Sequence, residues 1–310
     1  MVVFMAYDVV IVGAGPAGLS AALESRYLKL EVLVIEAEKA GGAPAQSYPW
    51  KGVDSYLGLK DMTGRQIGNR IVEHVREKGA QILEMEEVLE IKRRGRVFYV
   101  RSASASYDAK SVIIATGIRG VPGKLSVPGE ELDGVEHFVS STKRFQGKNV
   151  LVVGGGNSAA DCAVGLREAG ATVFLAHRRD EMRATGENKE KVMKSGVNLM
   201  WNSEVESISG SGSVEKAVLV NNISGAKTEL SVDGVIVCIG SVPSKNYLEA
   251  LGVNMEGSVV SVDSDGMTSI PGVFAAGDIV TTIKRIPQAL ATGERAAYGV
   301  FKYIKSPYWE

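Results

Sequence analysis

Two short glycine runs carry the most legible chemistry in this 310-residue chain. In the first, Gly13, Gly15 and Gly18 frame Gly13-Ala14-Gly15-Pro16-Ala17-Gly18 between an apolar β-branched run and a stretch of helical periodicity. Glu36 closes the apolar run that follows. Glycine at the first position permits a tight turn, at the second lets backbone approach a pyrophosphate, and at the third lets helix and strand pack closely. The N-terminus of the following helix offers unpaired N–H groups and partial positive charge to phosphates. A carboxylate at the second strand end can accept ribose hydroxyls, so the spacing predicts a dinucleotide site.

The same pattern recurs in residues 149–177, with Gly154 and Gly156 in register with Gly13 and Gly15, and Ala159 in the third position. Asn157 and Ser158 open its helix. Glu36 lies 18 residues beyond Gly18, and the same step from Ala159 lands on His177. His177-Arg178-Arg179, with Arg183 four residues further on, replaces the acid. A carboxylate would repel a ribose 2′-phosphate, whereas guanidinium groups bind one bidentately. The first site is therefore expected to take an unphosphorylated adenosine ribose, and the second to prefer NADP over NAD.

These motifs need two scaffolds. Each sits in a βαβ unit of about 30 residues, and a chain of this length accommodates about two domains. Residues 61–79 read as a helix and 80–114 as short strands, ending in an apolar run before Ala115-Thr116-Gly117. The Gly- and Pro-rich stretch after Thr116 is a linker candidate. The last 65 residues hold an apolar strand entering Gly277-Asp278 and a helix from about Pro287 to Tyr303. They are too few for a core of their own. The expected fold is α/β, with two Rossmann-like three-layer nucleotide-binding domains, the second inserted into the first. The first spans 1–118 and 246–310, and the second 119–245.

Composition bounds the rest. Lys plus Arg (35) nearly balances Asp plus Glu (36), which argues against a nucleic-acid or membrane binder acting through its overall field. Two cysteines, Cys162 and Cys238, exclude a disulfide scaffold or zinc module and fit a reducing cytosol. The N-terminus lacks the basic region of a signal peptide, and the expectation is a cytoplasmic protein. No Ser/His/Asp or metal-ligand constellation is visible, and His74, His137 and His177 are scattered.

The ordered set of glycine motifs, Ala115-Thr116-Gly117, His177-Arg178-Arg179 and Ala276-Gly277-Asp278 resembles the low-molecular-weight thioredoxin reductases across essentially the whole chain. The resemblance implies FAD on the first domain, NADPH on the inserted one and a homodimer. One motif is missing. Where the disulfide reductases of that family carry Cys-x-x-Cys, this chain has Glu136-His137-Phe138-Val139-Ser140-Ser141-Thr142. Cys162 and Cys238 fall in a helix and a central apolar strand, where cysteine reads as a small hydrophobe. Neither an accessible thiolate nor a resolving partner is expected. Residues 134–139, 145–148, Asp161 and Tyr48-Pro49 look instead like the thioredoxin-reductase-type ferredoxin–NADP reductases, although residues 53–58 look more like the disulfide reductases.

By that resemblance, Gly13, Gly15, Pro16, Ala17, Gly18, Glu36, Gly42, Thr116, Gly117, Gly277 and Asp278 hold FAD, and Tyr48 stacks on its ring. Gln288 and Ala289 start a helix whose N-terminus favours the charge of reduced flavin. Gly154, Gly156, Asn157, Ser158, Ala159, His177, Arg178, Arg179 and Arg183 hold NADPH. The cofactors perform the chemistry, so no general acid or base is assigned. Electrons pass to a one-electron acceptor such as ferredoxin, with Lys92-Arg93-Arg94-Arg96 and Lys284-Arg285 as candidate docking charges. His137 near the flavin and Tyr308-Trp309 as its cover are further expectations. An NAD(P)H oxidase or diaphorase using oxygen, quinones or free flavin remains open. So does an NADPH-sensing binding module, or a disulfide reductase borrowing thiols from another chain.

Overall fold

The computed structural model describes residues 7–53, 56–117, 121–242, 248, 251–257 and 259–305. The chain divides into two compact units, Met1–Gly120 with Pro243–Glu310, and Val121–Val242 between those segments. The expected junctions at 118/119 and 245/246, and the Tyr308-Trp309 pair, lie outside the described residues.

The first unit opens with β1 (Tyr7–Val12), α1 (Pro16–Tyr27) and β2 (Val32–Ile35). After the short α2 (Gly42–Gln46) come α3 (Gly64–Glu77), β3 (Gln81–Leu83), β4 (Val88–Arg94), β5 (Val97–Ser102) and β6 (Ser106–Ile114). Val9 and Ile11 of β1 point into one buried cluster, Val10 and Val12 into another. A strand covered on both faces reads as an unbroken apolar run, which is how β1 reads. The sheet order is β3-β2-β1-β6-β5-β4, parallel from β3 to β6, with β4–β5–β6 antiparallel.

The second unit contains β7 (Val121–Pro122), β8 (Val135–Glu136), β9 (Asn149–Val153), α4 (Asn157–Glu168), β10 (Thr172–His177), α5 (Gly186–Lys194) and β11 (Asn198–Trp201). It continues with β12 (Ser203–Ser209), β13 (Lys216–Asn221), β14 (Lys227–Ser231), β15 (Gly234–Val237) and β16 (Ser241–Val242). Five strands form a parallel sheet in the order β11-β10-β9-β15-β8. Val150 and Val152 face the cluster under α4, while Leu151 and Val153 face the antiparallel sheet β12-β13-β14. In both units the glycine turn follows the strand at which the order reverses, the place where open α/β sheets hold ligands.

The tail adds β17 (Met255–Glu256), β18 (Val259–Val260), β19 (Val273–Ala275) and α6 (Ile286–Lys305) to the first unit. Strand β19 pairs in parallel with residues 112–114 of β6, and α6 lies against α1. That contact is at backbone distance. The Ser20 hydroxyl donates to Leu290 O at 2.8 Å, and a Cβ on Gly293 would lie 2.1 Å from Ala17 O. Gly293→Ala must push α6 off α1, and thermal unfolding of the purified variant is expected to show a loss of about 1–3 kcal/mol.

Candidate functional site

Each glycine turn is held by the same two backbone hydrogen bonds. Gly13 N–H donates to Ile35 O at 2.8 Å and Ala115 N–H to Val12 O at 2.8 Å; Gly154 N–H donates to Ala176 O at 3.0 Å and Cys238 N–H to Val153 O at 2.8 Å. Both glycines have positive φ, +104° and +147°. A Cβ would lie 2.6 Å from Ala115 O in the first turn and 2.4 Å from Cys238 O in the second. Only glycine lets the turn sit directly on the neighbouring strand end. The third position is equally tight in the first turn, where a Cβ on Gly18 would lie 1.9 Å from Gly13 O.

The second glycine of each turn is different. Gly15 and Gly156 are the N-caps of α1 and α4, and neither helix has a side chain capping its first turn. By contrast α3 has a full capping box, with Thr63 and Gln66 bonded reciprocally. A Cβ on Gly156 would meet nothing within 4 Å, and one on Gly15 only Gly42 Cα at 3.8 Å. Two helix N-termini therefore present N–H groups and open approach, the geometry that suits an anion such as a pyrophosphate.

Around the first turn, Glu36 accepts from Ala14 N–H at 2.6 Å and from Glu38 N–H at 3.0 Å, so its carboxylate is fixed at the turn and retains lone pairs. Gly42 packs on Gly15, and Gly41 N–H donates to Ala14 O at 2.8 Å. Pro16 is half-buried and Ala17 buried at the start of α1; Thr116 and Gly117 are half-buried beyond β6. Gly277 N–H donates to Thr292 Oγ at 2.9 Å, and that hydroxyl is bonded back to Gln288 O and Ala289 O, both at 3.0 Å. Thr292 thus locks the Gly277-Asp278 turn to the first turn of α6, which starts at Ile286 rather than at Pro287. Burial pushes the Asp278 carboxyl up, with the Lys284 ammonium opposing it. Tyr48 is half-buried, and the preceding Ser47 hydroxyl is buried without a protein hydrogen bond. A carboxylate, two glycine turns and an orphaned buried hydroxyl fit a dinucleotide such as FAD.

Around the second turn, the arginine loop is pinned by backbone. Arg183 N–H donates to Gly155 O at 2.7 Å and Thr185 N–H to Asn157 Oδ1 at 2.8 Å. Asn202 N–H donates to Arg179 O at 3.1 Å, and Asn222 Nδ2 to Arg178 O at 2.9 Å. Arg178, Arg179 and Arg183 are exposed, and no carboxylate among the described residues pairs with them. Nearby Glu181 is taken up by Lys189. Ser158 is half-buried and Ala159 buried in α4. Three exposed guanidinium groups on a fixed loop, with no carboxylate partner among the described residues, are a charge pattern that would suit an anion.

His177 departs from the expectation that groups it with the arginines. It is 5% exposed, its ring edge to face with Trp201. A Cβ on Gly155 would fall 2.2 Å from its ring, so the imidazole is laid on the turn itself. Burial, aided by Arg183, Arg179 and Arg178, pushes its pKa down, and its Nε2 has no protein partner. The buried ring lies against the turn, where burial disfavours its charged form. The equivalent strand-end residue Glu36 also works on its turn, which the sequence register shows only as a position.

Other expectations are corrected too. Cys238 lies one residue beyond β15 and packs against the buried cluster that contains Cys162. The Lys284 ammonium is folded onto the carbonyls of Asp278 and Thr281. Lys92 pairs with Glu90 at 2.7 Å, while Arg93 and Arg94 stack on Phe98 and Tyr99 in the β4–β5 hairpin. His137 is half-buried in the second unit, with Nδ1 unpartnered. Thr292, Gly293 and Trp201 escaped the sequence reading; a small residue at 293 one helical position from Thr292 was the available signal.

Fold and turns together define an α/β oxidoreductase with two Rossmann-like domains. The chain belongs to the pyridine nucleotide-disulphide oxidoreductase family, which residues 7–293 match. It is 37% identical over 304 residues to a ferredoxin–NADP reductase of Ignicoccus hospitalis, covering 97% of this chain and 99% of that protein. It is 34% identical to a thioredoxin reductase of Peptoclostridium acidaminophilum, covering 98% and 99%. The crystal structure of T. acidophilum thioredoxin reductase superposes with a TM-score of 0.89 at 31% identity, covering 97% and 98%. Among the described residues no helix is long and apolar enough to cross a membrane.

The ring-on-glycine contact can be tested by a double-mutant cycle. Gly155→Ala drives a methyl into the His177 ring and should destabilise the protein by about 1–3 kcal/mol in chemical denaturation. In a His177→Ala background the same change should cost far less.

Proposed function

We propose that this chain is an NADPH-dependent FAD flavoprotein, a homodimer, that delivers electrons to a one-electron carrier of the ferredoxin kind and is not a dithiol thioredoxin reductase. The observation that carries the reading is the contrast between two like turns, one served by Glu36 and the other by three unpaired arginines. The 37% identity to a ferredoxin–NADP reductase supports it. So does the absence of cysteine from residues 136–142.

When bound, FAD supplies the conversion between a two-electron hydride donor and one-electron carriers. The chain's own residues position and discriminate. The turn of Gly13, Gly15 and Gly18 brings the first free N–H groups of α1 to the pyrophosphate, with Pro16 and Ala17 opening that helix. Glu36 selects a ribose with free hydroxyls, and Gly42, Thr116 and Gly117 line the approach. Gly277 and Asp278, locked by Thr292, hold the chain toward the flavin. The first turn of α6, at Gln288 and Ala289, places helix-dipole charge where a reduced ring needs it. Tyr48 flanks the ring. In the second unit Gly154, Gly156, Asn157, Ser158 and Ala159 form the pyrophosphate cradle. Arg178, Arg179 and Arg183 grip the 2′-phosphate while His177 props the turn.

A second reading, electron delivery to oxygen, quinones or free flavin, is favoured by the two basic clusters. Lys92 is neutralised by Glu90, and Lys284 is folded onto its own loop, which leaves less free charge for an acidic protein partner.

Anaerobic cytochrome c reduction by the yellow protein with NADPH, with and without ferredoxin from the same cell, separates the two. Strong stimulation by ferredoxin is expected. Rapid bleaching of the flavin without stimulation would move the acceptor to the second reading. Arg179→Ala should raise KM for NADPH by about tenfold to a hundredfold, the worth of one charge-assisted contact, and leave KM for NADH unchanged. Equal effects on both nucleotides would refute the phosphate assignment.

A further inference from the structure

The loop that carries Arg178, Arg179 and Arg183 is tied down at four points, and these belong to two different parts of the second unit. Arg183 N–H reaches Gly155 O and Thr185 N–H reaches Asn157 Oδ1, both at the glycine turn and the start of α4. The other two ties act on the arginine carbonyls. Arg179 O accepts from Asn202 N–H at 3.1 Å, and Arg178 O from Asn222 Nδ2 at 2.9 Å. Asn202 lies between β11 and β12, and Asn222 in the turn from β13 to β14. The margin of the antiparallel sheet therefore holds the end of the loop that bears two of the three guanidinium groups.

Asn222 joins both ties. Its backbone N–H donates to Asn202 O at 2.7 Å while its side chain reaches Arg178 O. The turn that presents it is braced. Asn221 Oδ1 accepts from Ile223 N–H at 3.1 Å and Ser224 N–H at 2.9 Å, and Asn221 N–H donates to Ala226 O at 2.9 Å. Asn202 takes the left-handed conformation, φ +51°, in which asparagine is enriched. Met85 does the same in the first unit, φ +58°, with its N–H donating to Glu38 O at 3.0 Å. Glu38 and Arg179 each lie two residues beyond the strand-end residue, Glu36 and His177. Onto this shared backbone frame the second unit places the Asn222 amide.

We propose that Asn222 is a positioning residue for recognition of a ribose 2′-phosphate: by holding the Arg178 backbone beside Asn202, it sets where the Arg178 and Arg179 guanidinium groups stand. This deepens the nucleotide reading given above and rests on it. A guanidinium grips a phosphate through two parallel hydrogen bonds, which need a fixed approach. The arginine side chains are exposed and long, so the fold fixes them through their backbone. The glycine turn is held by separate contacts, from Gly154 N–H to Ala176 O and from Cys238 N–H to Val153 O. Loss of the Asn222 amide thus weakens the grip on the 2′-phosphate and leaves the rest of the nucleotide bound as before.

The test titrates the oxidised, flavin-loaded protein calorimetrically with NADP+ and with NAD+, which differ only in the 2′-phosphate. The unaltered protein is expected to bind NADP+ more tightly. Asn222→Ala should raise the NADP+ Kd about threefold to tenfold, the range of one net hydrogen bond, with the NAD+ Kd unchanged. Asn222→Asp, which keeps the side chain's size and removes the donor, should weaken NADP+ at least as much. Ile223→Ala, in the same turn and 76% exposed, should change neither Kd. In an Arg178→Ala/Arg179→Ala background, Asn222→Ala should add nothing. Equal losses for both nucleotides would overturn the proposal, since they would mark Asn222 as a support of the whole unit. An NADP+ preference that survives intact in both Asn222 variants would overturn it while leaving the arginine assignment standing. Equal binding of the two nucleotides by the unaltered protein would refute that assignment, and the role of Asn222 with it.

Discussion

In each unit a single close approach sets the geometry of everything around it: a glycine with positive φ lies against the carbonyl that ends the neighbouring strand. Gly13 rests on Ala115 and Gly154 on Cys238, with no space for a methyl group in either place. From that seat the chain has one way forward. The next residue but one becomes an N-cap without a side chain, the helix that follows packs on the sheet, and its first turn is left without a side-chain cap. Burying both faces of the parallel sheet then keeps the strand end from moving, since each strand alternates between two apolar clusters. An interior packed that densely transmits any shift of the seat to the turn.

The two turns share a frame and differ in what was added to it. Glu36 is tied to its turn by a hydrogen bond from Ala14 N–H, and His177 by ring contact with Gly155. Both strand-end residues thus buttress glycine backbone. What extends beyond differs: a carboxylate with spare lone pairs in one unit, a loop of guanidinium groups in the other. The arginine loop owes its fixed position to Gly155, Asn157, Asn202 and Asn222, so polar residues with no charge decide where the charge stands.

Much of this was legible in the sequence because the period-two and helical patterns, the glycine spacing and the register of Glu36 with His177 are all local. The doubled βαβ unit, the strand into Gly277-Asp278 and the tail helix follow from such signals. What escaped is contact between distant segments. Residue type could not say that His177 turns inward under Gly155 while its neighbours turn out. Nor could it say that Cys238 packs against the cluster that holds Cys162, 76 positions away. Thr292 and Gly293 look like ordinary helix residues until α1 and the Gly277 turn are brought beside them. Lys284 reads as a docking charge from composition, but short-range carbonyls compete for it successfully.

Strand β6 has a further consequence, for the order of folding. One of its edges is lined by β1. The other is shared, with β5 along residues 106–109 and β19 along residues 112–114. During synthesis the upper part of that second edge has no partner until residues 273–275 emerge, after the whole of the second unit. The inserted unit has all its own strands by residue 242 and can close its sheets first. The unit that begins the chain is thus the one completed last, with a long loop to close before its final strand pairs. Until then its exposed edge is a template for strands of other chains, so the interval between the two units is when this protein is most open to misassembly.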